Sequence, residues 1–292
     1  MPESVASTAH GPMLLSAVEQ SLPKAARIVD DPLAYRMLPP YMKLMVRASR
    51  LKSLRQALGN ALEKSAPGIR GAVLCRKRYI EDKLVESLHT DLDAVVVLGA
   101  GLDTLAYRLP QLSAKRVYEI DLPENMAYKK KTVEALYGEV PAHARLIPLD
   151  FETQTLEQGL LAAGYSADQK TFFVWEGVTQ YLTEAAVRET MWFLAKAKPG
   201  SRLVFTYILK DFIDGTQMYG QDRLYQRMRV KNQYWRFGLD PRQVAAFIGE
   251  YGWTVLEQVS ADTYTERYMR PAGRTEAVAE AEPAVYAEKR SL

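Results

Sequence analysis

Three valines and a leucine running straight into a glycine turn, Val95-Val-Val-Leu98 then Gly99-Ala-Gly101-Leu-Asp103-Thr104, constrain this chain more than any other stretch. The run is too short for a helix and rich in β-branched residues, so it reads as a buried strand. A parallel sheet covered on both faces requires such uninterrupted apolar strands. Gly99 and Gly101 supply a turn where backbone can approach a ligand without a Cβ in the way. Asp103 or Thr104 can cap the helix that follows, so strand, turn and helix start form a cofactor cradle. Thr104 stands where a dinucleotide fingerprint has its third glycine, which leaves that fingerprint incomplete. A second short strand, Tyr118-Glu-Ile-Asp121, ends in a carboxylate able to accept two hydrogen bonds from ribose hydroxyls. Asp121 can equally cap the helix opened by Pro123, through different atoms.

The surrounding pattern is doubly wound. Strands are expected at 115–121, 144–149, 171–175, 202–209 and 252–260, with a last antiparallel one at 284–289. Helices are expected at 123–137, 183–197 and 240–250. This is a Rossmann-like α/β fold, a seven-stranded mostly parallel sheet with helices on both faces. Gly99, Gly101, Asp121, Asp150 and Glu176 each follow the carboxyl end of a strand, the edge where open α/β sheets bind ligands. Residues 1–12 read as a loose tail. From Met13 to Leu88 apolar residues recur at helical spacing, interrupted at Pro23, Pro32, Pro39-Pro40 and Pro67-Gly68. Residues 1–90 are therefore an all-helical region and 91–292 the core, within one structural domain. Residues 210–237 break the alternation with aromatic and charged residues; they form either an aromatic wall for a substrate or a small core of their own.

Net charge is +3, from 38 basic and 35 acidic residues, too even for a nucleic-acid binder. The single cysteine, Cys75, excludes an internal disulfide, and His10, His89 and His143 have no metal-ligand spacing, so no metal is expected. No run reaches the length of a membrane span and no secretion signal opens the chain, so a cytoplasmic protein is expected. Tyr41 to Leu58 carries an apolar stripe of Met42, Met45, Val46, Leu54 and Leu58 beside Lys43, Arg47, Arg50, Lys52 and Arg55. It suits a membrane or acidic partner, or the solvated face of a packed helix.

Three motifs carry a resemblance: Leu-Gly-Ala-Gly-Leu-Asp-Thr-Leu-Ala-Tyr-Arg (98–108), Glu-Ile-Asp-Leu-Pro (119–123) and Trp-Glu-Gly-Val-Thr-Gln-Tyr-Leu-Thr-Glu (175–184). In this order they resemble the leucine carboxyl methyltransferase family, class I S-adenosylmethionine (SAM) enzymes that include phosphatase C-terminal leucine methylases and bacterial polyketide O-methyltransferases. The resemblance implies SAM as cofactor and N-terminal helices over the active site. It implies a SAM cradle made of Gly99, Ala100, Gly101, Asp121 and Leu122, with Asp150 accepting from the adenine amino group. Phe151, where relatives more often keep leucine, would offer its backbone N–H and pack on the purine. Glu176 and Gly177 would close over the methionine part, and Arg76 would bind its carboxylate, a contact that suits a guanidinium fork. The residues alone allow a simpler picture there, a surface helix with Arg78 paired to Asp82.

Methyl transfer from a sulfonium is an in-line displacement with an activated leaving group, so alignment and water exclusion dominate. A carboxylate acceptor is already ionised, whereas a phenol or alcohol usually benefits from a base. His10 falls in the tail, and His89 and His143 precede strands at the opposite edge. The expected acceptor is therefore a carboxylate of a small molecule, such as a polyketide, or of a peptide C-terminus, with a phenolic or alcohol hydroxyl second. Tyr181, Tyr207 and Arg108 are candidates for the acceptor side, or else core aromatics and a structural ion pair. Two rivals are an NAD-type oxidoreductase and a non-enzymatic nucleotide-binding protein. The Tyr79-x-x-x-Lys83 pair suits the first but precedes the glycine loop instead of following it.

Overall fold

The computed structural model describes residues 5–291. A 3-10 turn, Ala6–Ala9, leads into helices α1 (His10–Glu19), α2 (Ala34–Met37), α3 (Pro40–Ala48), α4 (Lys52–Ser65) and α5 (Ile69–Leu88). Strands and helices then alternate: β1 (Ala94–Leu98), α6 (Leu105–Arg108), β2 (Arg116–Asp121), α7 (Pro123–Tyr137), β3 (Ala144–Pro148), α8 (Leu156–Ala162), β4 (Thr171–Trp175), α9 (Glu184–Leu194) and β5 (Arg202–Thr206). Short helices α10 (Lys210–Ile213) and α11 (Asp222–Tyr225) precede α12 (Val244–Gly249), β6 (Trp253–Val259), α13 (Ala261–Tyr264) and β7 (Ala284–Lys289).

The strands form one sheet in the order β3-β2-β1-β4-β5-β7-β6. β1 to β5 run parallel, and β7 is antiparallel to both β5 and β6. All five β1 residues are buried, which explains why the run lacks alternation. Val95 and Val97 pack with Leu74, Tyr79 and Ile80 of α5, while Val96 and Leu98 face Phe173 and the α9 side. Each such side chain stabilises the fold by about 1.5–3 kcal/mol relative to exposure. The chain leaves β1 toward β2 and returns on its other side as β4, so the switch point lies at the ends of β1 and β4. Gly99 and Glu176 are the residues that follow those ends.

Several expectations are corrected. The stretch read as a loose tail is ordered from residue 5: Gly11 and Pro12 sit in the first turn of α1, where proline's missing N–H costs nothing, and Ala6 is buried. Residues 1–4 lie outside the described residues. The 1–90 region divides in two: α5 joins the layer covering the sheet, with Leu74, Tyr79 and Ile80 against β1, while α1 to α3 meet Leu102 of the glycine loop through Met13, Met37 and Val46. β5 ends at Thr206, and the next residues pair with the C-terminal segment, Tyr207 N to Pro283 O at 3.3 Å and Leu209 N to Ala281 O at 3.0 Å. The helix expected from Asp240 starts at Val244, since Gln243 N to Asp240 O closes a turn first. Residues 210–237 are only partly helical, and their Phe212, Met228, Trp235 and Phe237 join the main core instead of forming a separate one.

Candidate active site

The glycine loop folds back on the end of β2. Gly99 and Gly101 have φ of +71° and +44°, values that L side chains rarely adopt. Ala100 N donates to Ile120 O at 2.8 Å, and Gly101 N donates to Asp121 Oδ2 at 2.6 Å. The other oxygen of Asp121 accepts from Leu122 N and Asn125 Nδ2, both at 2.7 Å. Burial pushes this carboxyl above its ordinary pKa, against the pull of those three donors. Three donors occupy most of the roughly four acceptor positions of a carboxylate, so about one is left for an outside hydroxyl. The loop is tightly covered: a Cβ at Gly99 would run into Val178, and one at Gly101 would lie 3.0 Å from Ala9 Cβ. Gly99→Ala is expected to cost about 3 kcal/mol, from the left-handed backbone and the clash together, read as a lowered melting temperature.

A buried charge cluster stands beside this loop. Arg76, on α5, donates through Nε to Glu176 Oε1 at 2.8 Å and through a terminal nitrogen to Glu282. Lys77 Nζ reaches Asp103 Oδ2 at 3.2 Å and Glu176 Oε2 at 3.4 Å. Burial lowers the pKa of both cations, yet the facing carboxylates more than offset it and hold them above their ordinary values. For Asp103 burial acts upward, and Lys77, Lys129 and Arg108 bring the net shift downward. Two cations against three carboxylates, Glu176, Glu282 and Asp103, leave one negative charge in a nearly dry site. Such a place favours a ligand of net positive charge. Asp103 also accepts from Leu105 N at 2.7 Å, starting α6 as the sequence anticipates.

The third component is the turn after β4. Gly177, at φ +67°, lies against the Arg76 guanidinium, 3.0 Å from where a Cβ would be. Its N–H donates to Thr206 Oγ1 at 2.7 Å, and that hydroxyl donates to Glu282 Oε1 at 2.8 Å. Tyr181 follows in the same turn, beside Thr8 and Trp235, and burial raises its pKa.

The expected residues thus separate into groups. Arg76, Gly99, Ala100, Gly101, Asp121, Glu176 and Gly177 converge, with Leu122 just behind as the residue before α7. Asp150 and Phe151 form the neighbouring turn beyond β3, where Asp150 Oδ1 accepts from Glu152 N at 2.9 Å and Phe151 packs on the core. Tyr207 points to the other face of β5 from Thr206, and its hydroxyl accepts from Gln258 at 2.9 Å. Arg108 is held by Glu81 at 2.7 Å and Thr104 at 3.1 Å, so its donors serve to tie α6 to α5. Arg78 pairs with Asp82 at 2.7 Å, as the four-residue spacing indicates.

Sequence reasoning missed Lys77, Thr206, Glu282 and the cover formed by Ala9 and Val178. Glu282 had a readable signal. An antiparallel last strand begins where β5 ends, Thr206 opposite Ala284, so residues just before it land at the ligand edge. His10 is also misplaced by the tail reading: it begins α1, next to Ala9 on the glycine loop, with Nδ1 donating to Ser7 O at 3.0 Å and its ring edge-on to Tyr128.

The sequence profile of one family, leucine carboxyl methyltransferase, matches residues 9–195. A Mycobacterium sp. (strain JLS) protein named "Putative S-adenosyl-L-methionine-dependent methyltransferase" is 27% identical, over 91% of this chain and 89% of its own length. A protein of the same name from Mycobacteroides abscessus is 25% identical, over 80% and 81%. Among solved structures, a "putative methyltransferase" from Thermobifida fusca shares the fold with a TM-score of 0.58 at 15% identity, over 94% of this chain and 97% of that one. The matched span contains the glycine loop, Asp121, Asp150 and Glu176, and the sheet has the order of a class I methyltransferase. This chain belongs to the leucine carboxyl methyltransferase family and is a SAM-dependent methyltransferase.

Proposed function

We propose that the enzyme methylates an anionic oxygen, in first place a carboxylate of a small molecule or of a peptide C-terminus. The observation that carries this reading is a cationic depression on the insertion, lined by Tyr225, Arg229, Val230, Gln233 and Arg236. It adjoins the Tyr181 turn, because Arg236 N donates to Gln180 O at 2.6 Å. Between Arg223 and Phe237 the insertion has five cations and no acid. Arg229 and Arg236 would hold an acceptor's negative charge, and Tyr181 would offer a hydroxyl toward its oxygen.

When bound, SAM supplies a methyl group on a positively charged sulfur. The protein's share is binding, orientation and exclusion of water. We assign Arg76 to the cofactor carboxylate, which would take over a place now filled by Glu282. Gly99, Ala100 and Gly101 bring backbone close to the nucleoside, Asp121 accepts from a ribose hydroxyl, and Asp150 with Phe151 borders the adenine. Glu176 and the residual negative charge of the cluster favour the cationic form of the cofactor over its neutral product. With a carboxylate acceptor no proton has to move, and none of these groups needs to act as a base.

His10 beside the glycine loop supports a second reading, a phenolic acceptor, since an imidazole that donates through Nδ1 can take a proton at Nε2. The two are separable with methyl-labelled SAM and a panel of carboxylic acids and phenols. A carboxylate product is an ester that releases volatile label in mild alkali, whereas a phenol ether does not. His10→Gln, His89→Gln and His143→Gln are each expected to leave turnover within about threefold. A loss of about a hundredfold or more in a folded His10 variant, the scale of general-base catalysis, would establish the phenolic reading instead.

A further inference from the structure

Twelve large hydrophobic side chains are exposed among the described residues, and six of them, Tyr41, Leu44, Met45, Leu51, Leu54 and Leu58, lie on α3 and α4 or the turn between them. On α3 the exposed three recur at i, i+3 and i+4, and along α4 at i, i+3 and i+7, so each set forms one stripe. The inward side of α3 is already satisfied, with Val46 and Met42 in the N-terminal core. α4 buries none of its residues. A surface helix of a globular protein normally turns its apolar stripe to the core. α3 and α4 turn such stripes to solvent, the mark of an interaction surface.

Its charge identifies the partner. From Pro32 to Leu62 the chain contains no Asp or Glu and six cations. Along the chain, ion pairs stop at Arg27–Asp30 and resume at Arg70–Glu19, so among the described residues the cations between are unpaired with carboxylate. Two of them are held in place without being neutralised: Arg47 Nε donates to Tyr35 Oη at 2.8 Å, and Lys43 lies over the Tyr35 ring at 5.9 Å. α4 is too short and too polar to span a bilayer, and no described helix is long and apolar enough to do so.

We propose that the α3–α4 segment docks this enzyme on an anionic lipid surface. The separate exposed leucine tips enter the boundary between headgroups and acyl chains, while the longer Lys and Arg side chains stay among the phosphates. An acidic protein partner would meet the same charge, but isolated protruding leucines match a layer that yields to them. The docking is independent of which acceptor oxygen is methylated.

The test is flotation of the full chain with vesicles of phosphatidylcholine alone, or with about one-third phosphatidylglycerol. Binding is expected on the anionic vesicles and not on the neutral ones, weakening as salt is raised. Lys52→Gln with Arg55→Gln is expected to lower partition by about thirtyfold, and Leu51→Ser with Leu54→Ser by about tenfold or more. These side chains are exposed or half-exposed, so SAM binding and melting temperature should stay unchanged. The wild-type comparison of lipids and salt stands without any variant. Equal binding to both vesicle types, no binding to either, or stronger binding to poly-glutamate than to anionic vesicles would overturn the proposal, the last in favour of an acidic protein.

Discussion

Arg76→Met should weaken SAM binding by about a hundredfold, the equivalent of one charge-assisted two-point contact, measured by calorimetry on the purified chain. The same substitution should also destabilise the fold by about 3–5 kcal/mol, because it strands Glu176 and Glu282 in a buried site. Lys77 stays 3.4 Å from Glu176, whereas Glu282 is left with the neutral Thr206 hydroxyl at 2.8 Å and is therefore the more costly orphan. Arg76→Met with Glu282→Gln removes that orphan charge, and most of the stability should return while SAM binding stays weak. The pair of variants separates a binding role from a structural one. If the folded double variant bound SAM as tightly as the native chain, Arg76 would be a structural residue and the cofactor assignment around it would fail.

Lys129→Met should be the most damaging substitution away from the cluster. Glu119, in the middle of β2, and Lys129, on α7, are both fully buried and meet at 2.6 Å; Tyr107 of α6 donates to the other carboxylate oxygen at 2.5 Å. Breaking a buried pair from one side costs about 3–5 kcal/mol, since the remaining charge has lost water and partner together. The three groups join β2, α6 and α7, the elements that frame the glycine loop, so loosening there should also reduce SAM affinity. The pH dependence follows from Glu119, whose pKa is raised by burial even with Lys129 present. A folded state that holds its proton to higher pH than the unfolded chain loses stability as pH rises through that interval. Without Lys129 the interval widens, so the deficit should shrink as the pH is lowered toward about 4.5, the ordinary range of a glutamate. Urea unfolding at several pH values would show it, and a deficit independent of pH would mean that packing, not charge, is what Lys129 supplies.

Much of the architecture was legible because burial leaves a period in the sequence. Val95 to Leu98, Thr171 to Trp175 and the weak alternation at 284–289 each record how a strand meets its neighbours, and all three were placed correctly. Thr183 likewise caps α9 through its own side chain, accepting from Ala186 N at 3.3 Å. The glycine and acidic positions could be assigned to one edge because parallel strands align their carboxyl ends. Gly11-Pro12 misled because the same residues that break a helix interior are harmless in a first turn. Tyr207 lies in the core, one of the two places its sequence reading left open, because one residue along a strand reverses the face.

The chain's own order of residues determined a seven-stranded α/β sheet, the edge where its glycine and acidic residues gather, and the glycine loop, for these depend on local period and on turns. Only the tertiary structure decided that Arg76 and Lys77 share three carboxylates, one of them brought in by β7. It alone seats the first helix on the loop and leaves the apolar stripes of α3 and α4 exposed. Periodicity records how much of a residue is buried, while the identity of its distant partner depends on how far-apart segments pack, which no local pattern encodes.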